Sequence, residues 1–257
     1  VASLSGTVID GLTFLPLANA TVTLEPGGLT VVTGADGGYS FDNLVPGTYT
    51  LTAVYGGRCG LAASVELDIP GPGEWRDIFL MPYTDGLGYT CAERAAPFLA
   101  ADDTVLNLSG DDSVTEVELP FVFPFYGQAY RSVWVDTNGL LSFADPGGSH
   151  PYFGGQIPMP ADPNALVAPF WDDLVVDASA SVRTATVGSD SDERFVIEWR
   201  NVHRKGSTSQ RLSFEVILAP DGTVTVNYDG LDNDAERGAH ALVGIEAPAG
   251  EDGLLYS

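Results

Sequence analysis

Thr33-Gly34-Ala35-Asp36-Gly37-Gly38-Tyr39-Ser40-Phe41-Asp42-Asn43-Leu44-Val45-Pro46-Gly47-Thr48-Tyr49-Thr50-Leu51 is the strongest local pattern in the chain. Asp36-Gly37 reads as a tight turn, because glycine takes the positive φ that such turns need at no steric cost. Tyr39, Phe41 and Leu44 then face one core. Pro46-Gly47 turns the chain again, and Tyr49 and Leu51 return to that core.

The same period of two recurs along the chain. Thr21–Leu24, Tyr49–Val54, Val114–Leu119, Ser132–Val135, Leu140–Phe143, Arg194–Trp199, Leu212–Leu218 and Thr223–Tyr228 are β-branched or aromatic stretches that alternate in polarity. Asn138-Gly139, Asp221-Gly222 and Asp229-Gly230 punctuate them as turns. The best helix candidate, Ala92–Ala101, is interrupted by Pro97. The pattern predicts an all-β, antiparallel protein: an N-terminal β-sandwich followed by a larger antiparallel β-sandwich.

A chain of 257 residues suits two domains at roughly 100–200 residues each. The turn-rich run Met81-Pro82-Tyr83-Thr84-Asp85-Gly86-Leu87-Gly88 marks a seam, and aromatic density rises after it, as in Phe121-Val122-Phe123-Pro124-Phe125-Tyr126. The expected organisation is a small domain at 1–82, a linker at 83–98 and a larger domain at 99–257. The 30 glycines and 17 prolines follow no collagen repeat. No run of 18 apolar residues suggests a membrane span.

Thirty-five acidic residues face 11 basic ones, a net charge of −24. A nucleic-acid binder needs basic residues to displace counterions, and an anionic membrane surface repels this chain. Nucleic acid and membrane insertion are therefore not expected partners. A fold of this mass exposes about 11,000 Å², so net charges sit roughly 20 Å apart. Salt screens them beyond about 8 Å. The surplus of acids instead suggests calcium as a candidate ligand.

Cys59 and Cys91 form no CxxC pair and, with His150, His203 and His240, no recognisable zinc pattern. In an exported protein they are expected to form a disulfide that pins the linker to the first domain and restricts swivelling. The start at Val1 reads as a mature or excised product whose export signal has gone. Export and location outside the cell, free or at the surface, are expected on these grounds.

The decisive stretch, with Ser5-Gly6-Thr7-Val8-Ile9-Asp10 and Pro16-Leu17-Ala18-Asn19-Ala20-Thr21-Val22-Thr23-Leu24, resembles the carboxypeptidase regulatory-like family over about residues 3–80. That resemblance implies a transthyretin-like (Ig-like) β-sandwich acting as a rigid spacer or binding module without catalysis. Related pilin-type domains carry a Lys–Asn isopeptide crosslink. Here the only lysine is Lys205, so the first domain cannot form one.

Leu119-Pro120-Phe121-Val122-Phe123-Pro124-Phe125-Tyr126-Gly127, Val133-Trp134-Val135-Asp136-Thr137-Asn138-Gly139-Leu140-Leu141-Ser142-Phe143 and Ala165-Leu166-Val167-Ala168-Pro169-Phe170-Trp171-Asp172-Asp173-Leu174 look like the nidogen-like extracellular domain over about residues 100–257. The pair of domains is similar to accessory regions of secreted bacterial subtilisin-like peptidases and of large surface proteins. The resemblance implies a longer parent protein.

Candidate site residues each carry two readings. Asp172 and Asp173 follow Phe170-Trp171, and strand alternation lets only one face the core side. They are turn acceptors for backbone N–H groups or calcium ligands. Asp229, Asp232, Asp234 and Glu236 crowd a short stretch, as calcium's six to eight oxygens would require, but they lack the EF-hand spacing. The alternative there is a solvated loop. Trp75, Trp134, Trp171 and Trp199 sit in strand patterns and read as core, with a carbohydrate platform as the alternative. Asn19 and Asn107 begin glycosylation sequons. No Gly-x-Ser-x-Gly occurs, the histidines lie in polar contexts, and nothing singles out a carboxylate pair for glycoside hydrolysis.

The expectation is a non-catalytic extracellular structural or adhesive module without a certain cofactor. Its expected partners are other protein chains, matrix or cell-wall material. Exposed strand edges and the strand-like end Leu254-Leu255-Tyr256-Ser257 suggest a homopolymer, a repeating subunit of a surface filament. The alternative is a substrate- or wall-binding accessory region of a secreted peptidase.

Overall fold

The structure is a computed structural model that describes every residue except 12, 57, 58, 60, 82, 148–154, 231–240 and 257, and the side chain of 191. The chain separates into two compact units. One comprises Val1–Thr84 with Thr90–Arg94, and the other Asp85–Tyr89 with Ala95–Ser257. Among the described residues, no helix is long and apolar enough to cross a membrane.

The first unit is a sandwich of two four-stranded sheets. One holds β1 (Ala2–Asp10), β4 (Gly38–Leu44), β7 (Glu74–Trp75) and β8 (Ile78–Leu80). The other holds β2 (Thr21–Glu25), β3 (Leu29–Val32), β5 (Gly47–Tyr55) and β6 (Leu61–Ile69), in the order β3-β2-β5-β6. Tyr39, Phe41, Leu44, Tyr49 and Leu51 share its core with Leu4, Val8, Leu24 and Ile69. Leu44 is three residues from Phe41 and would face outward in a regular strand. A bulge opposite Ala2–Leu4, with Asn43 left-handed at φ 59°, returns it to the core. Gly37 turns at φ +72°, and a Cβ there would meet Pro16 and the Val8 carbonyl at 2.8 Å. Pro46-Gly47 carries the chain from one sheet to the other instead of closing a hairpin.

Two expectations fail in this unit. The strands are not all antiparallel, because β7 and β8 both run parallel to β1. Trp75 is not core: it lies on the edge of its sheet, 62% exposed. The disulfide Cys59–Cys91 also lies here, closing a sequence separation of 32.

The second unit packs two larger sheets around one core. The first sheet orders β10 (Val114–Phe125), β11 (Gln128–Asp136), β12 (Leu141–Ser142), β13 (Leu166–Trp171), β19 (Leu242–Glu246) and β20 (Gly253–Leu255). The second orders β18 (Val224–Tyr228), β17 (Leu212–Leu218), β16 (Arg194–Arg204), β15 (Ser181–Val187) and β9 (Thr104–Val105), with β14 (Leu174–Val175) paired to β16. Phe123, Phe125, Phe170, Trp199 and Phe214 fill the space between them, with Trp199 stacked on Phe214 at 5.0 Å. A bulge with Asn201 left-handed keeps Trp199 and Val202 on that same side. A single 3-10 turn, Asp190–Asp192, links β15 to β16.

Ala92–Ala101, the helix candidate, belongs to no helix or strand. Pro97 cannot donate the helical bond, and the amides around it have other partners, described next.

Candidate functional site

In the second unit, β16 and β17 place Glu198 opposite Glu215 on the outer face of their sheet, and both are buried. Each carboxylate holds the segment lying across it. Leu99 N–H donates to Glu215 at 2.9 and 3.1 Å, and Ala101 N–H donates to Glu198 Oε2 at 2.8 Å. Arg200 grips Glu198 through Nε and a second nitrogen, both at 2.7 Å, and donates to the Ala101 carbonyl at 3.2 Å. Asn227 donates to Glu215 at 2.8 Å and to the Pro97 carbonyl at 3.1 Å. Leu99 and Ala101 add a small apolar cluster with Ala185, Val196 and Ile217. Burial pushes the Glu215 carboxyl up, with Asn227 and Leu99 opposing and Glu198 adding. Two facing acids could suggest bond hydrolysis. Here their oxygens are occupied by main-chain N–H groups, an arginine and an amide.

A second polar centre forms around the Asn138-Gly139 turn. Asp136, Thr137 and Asn138 are fully buried. Asn138 accepts from Leu174 N–H at 3.0 Å and donates to Asp112 at 2.9 Å, while Asp136 accepts from Leu140 N–H at 2.8 Å. The Asp136 carbonyl accepts from the Trp199 indole at 2.8 Å. Gly139 sits at φ +75°, where a Cβ would lie 2.2 Å from the Phe170 carbonyl oxygen. The turn is thus a buried junction of several strands, not an exposed hairpin tip.

The acidic candidates divide around this junction. Asp172 is buried, accepts from Asp173 N–H at 2.8 Å and pairs with Arg204 Nε at 2.6 Å. Asp173 points elsewhere and groups with Asp111 and Asp112, their oxygens within 4.8 Å of one another. Lys205 supplies the positive charge there, 2.6 Å from Asp111 and 3.8 Å from Asp173. Partial burial raises the Asp173 carboxyl, Lys205 opposes, and Asp111, Asp112 and Asp172 add to the rise. Lys205 pairs with two of these three carboxylates, so a cation would have to displace its ammonium from Asp111 and Asp173. Asp229 is exposed, with its backbone N–H on the Ser213 carbonyl. Asp232, Asp234 and Glu236, like His150 and His240, lie outside the described residues.

His203 is buried. Its Nδ1 lies 2.8 Å from the Arg204 carbonyl and its Nε2 3.5 Å from Asp177. Arg211 clasps Asp177 with two bonds of 2.7 and 3.0 Å. Those bonds hold the Asp177 carboxyl down at about 2, helped by Ser179 N–H and, less strongly, by His203. No serine, threonine or cysteine nucleophile is hydrogen-bonded to this imidazole among the described residues.

Glu246, on β19, is a third buried acid. Its Oε2 accepts from Met159 N–H at 2.7 Å, and its Oε1 has no hydrogen-bond partner among the described residues. Burial lifts its carboxyl to about 7, with Met159 opposing and Glu251 adding. The signal for all three acids was a carboxylate inside an apolar run, as in Val196-Ile197-Glu198-Trp199, Ser213-Phe214-Glu215-Val216 and Val243-Gly244-Ile245-Glu246. The segments that cover them are far away in sequence.

These features define a two-unit β protein whose buried acids hold its own chain together. The NIDO-related family model matches residues 88–256, and a carboxypeptidase regulatory-like domain matches residues 3–76. The chain belongs to the NIDO-related family, preceded by a carboxypeptidase regulatory-like domain. Among solved structures, it is similar to a Bacteroides uniformis protein described as a candidate carbohydrate-binding protein. That match has 13% identity and a TM-score of 0.28, and covers 89% of this chain and 99% of the other. It is also similar to fervidolysin from Fervidobacterium pennivorans, a keratinolytic enzyme related to subtilisin. Here identity is 9% and the TM-score 0.30, and the match covers 98% of this chain but only 34% of fervidolysin. No curated protein sequence matches this chain.

Proposed function

We infer that the chain is a non-catalytic extracellular module that attaches or spaces other molecules, as part of an adhesive or structural surface protein. The supporting observation is how its buried acids are used. Glu198, Glu215 and Glu246 accept from main-chain N–H groups, and Asp172 pairs with an arginine, so the groups best suited to acid–base work hold strands and cover segments. The disulfide fits an oxidising location outside the cell. The partners in this reading are other protein chains or matrix and wall material. Long edge strands such as β6 and β10 offer backbone groups for strand addition by a neighbouring copy.

The test assays the purified chain against peptide and glycoside panels, and in parallel for retention on extracellular and cell-wall material. Retention without turnover is the expected result. Turnover abolished by Glu198→Gln or Glu215→Gln would overturn the reading. Light scattering at rising concentration examines the fibre: growing assemblies support it, and a persistent monomer removes it while leaving the attachment role.

A further inference from the structure

In the first unit, residues 74–80 run beside β1 at a constant offset: Leu4 faces Glu74, Ser5 faces Trp75, Val8 faces Ile78 and Ile9 faces Phe79. Ile78 and Leu80 point into the core, so Trp75 and Phe79 share the outer face. They are 62% and 49% exposed. Four residues apart on extended chain, they stand about 13 Å from one another. Phe79 is braced edge-on by Phe14, ring centroids 6.3 Å apart.

The indole is held in place. Trp75 Nε1 donates to Asp77 Oδ1 at 3.0 Å, and the same oxygen accepts from Thr7 N–H at 2.9 Å. With its N–H committed, Trp75 offers a partner only its π face, which attracts polarised C–H groups. Ser5 and Thr7 of β1 and Ser40 of β4 lie on the same outer face. Ser5 pairs with both Trp75 and Ser40, so an aromatic ring and two hydroxyls form one row across three strands.

Exposed apolar groups clustered on one face and rimmed by polar ones mark a contact surface. The core of a protein–protein interface is apolar and depleted of charge. This face instead alternates exposed rings with hydroxyls and the Asp77 carboxylate. Sugar rings present that combination, an apolar C–H face rimmed by hydroxyls. The 13 Å separation asks for a chain of sugars, and Asp42 and Asp77 on a chain of net charge −24 disfavour an anionic one. We propose that the outer face of the β4-β1-β7/β8 sheet, centred on Trp75 and Phe79, binds a neutral polysaccharide. This rests on the attachment role and names its partner.

The test is affinity electrophoresis of the full chain in gels containing a soluble β-glucan, xylan or dextran, beside plain gels and gels containing poly-lysine. Retardation by at least one neutral glycan, weakened tenfold or more in Trp75→Ala and several-fold in Phe79→Ala, is the expected result. An unchanged circular dichroism spectrum and Tm establish that each variant is folded. Retardation that survives Trp75→Ala, no retardation by any of the three glycans, or retardation by poly-lysine alone overturns the proposal. Retention on wall or matrix material that persists without glycan binding would overturn it too, while leaving the attachment role standing.

Discussion

The two units differ in how they cover the outer faces of individual strands. In the first, β1 alternates buried with half-buried residues along most of its length, and β6 alternates half-buried with exposed ones. In the second, β13 is buried at all six positions, and β17 at every position but one. The difference lies in what covers the sheet. The first unit leaves its outer face open, and hydroxyls and rings stand on it. The second lays residues 97–101 over Glu198 and Glu215, and brings Met159 over Glu246. A covering segment cannot pair as a strand and still needs acceptors for its N–H groups. Buried carboxylates supply them at a desolvation cost that the hydrogen bonds offset.

The contrast breaks most severely at the second unit's core. Trp199→Ala should lose about 3–5 kcal/mol, since the indole is fully buried, stacked on Phe214 and bonded to the Asp136 carbonyl. Urea unfolding followed by circular dichroism measures this, and a loss below 1 kcal/mol would show that the two sheets do not depend on that ring.

In the first unit, the bridge does part of the work that covering segments do in the second. Replacing Cys59 and Cys91 together should cost about 3–4 kcal/mol of that unit's stability for a loop of 32 residues. Proteolysis near the loop under native conditions should rise with it. Unchanged resistance would mean that the sandwich core alone holds the segment.

Glu246 sharpens the comparison through pH. Its carboxyl is raised in the folded state to about 7 from an ordinary value of 4.5, so the folded protein binds the extra proton. Stability therefore falls as pH rises from about 4.5 through 7, and the full cost is present above that window. Glu246→Gln should be about 2 kcal/mol more stable than the parent at pH 8, with no gain below pH 4.5. Paired melts at pH 8 and pH 4 decide it, and an equal difference at both would exclude titration as the cause.

The smallest effect belongs to the open face. Trp75→Ala should change stability by no more than about 0.5 kcal/mol, as for exposed positions outside a packed core. A loss above 2 kcal/mol would place that ring among the unit's structural supports and remove the contrast between the two sheets.

Much of this architecture is legible residue by residue. Tyr39, Phe41, Tyr49 and Leu51 point to their core through alternation alone, because a strand's side chains take opposite sides in turn. Leu44 shares that core only through a bulge, which the left-handed Asn43 permits and no alternation reveals. Trp75 alternates with the charged Glu74 and Arg76 as a half-buried strand residue does, and that pattern does not reveal that it stands on the open face of an edge strand. The parallel pairing of β1 with β7 and β8 joins segments some 70 residues apart, and local pattern carries no information about such partners.

The site divides along the same line. An acid inside an apolar strand, as at Glu198 or Glu215, announces by itself that a charge must be buried and satisfied. Which groups satisfy it depends on where distant chain comes to lie, so Leu99, Ala101 and Met159 emerge only in three dimensions. The acidic stretches suggest calcium by composition; that the fold sends Asp172 to Arg204 and Asp173 to Asp111, Asp112 and Lys205 is visible only in three dimensions. The two β units, their principal cores and the placement of turns are written in residue order, because they follow from side-chain alternation and glycine's backbone freedom. Tertiary structure alone decided which faces are covered and which charges are neutralised, because burial and Coulomb attraction act between groups that only folding brings within reach.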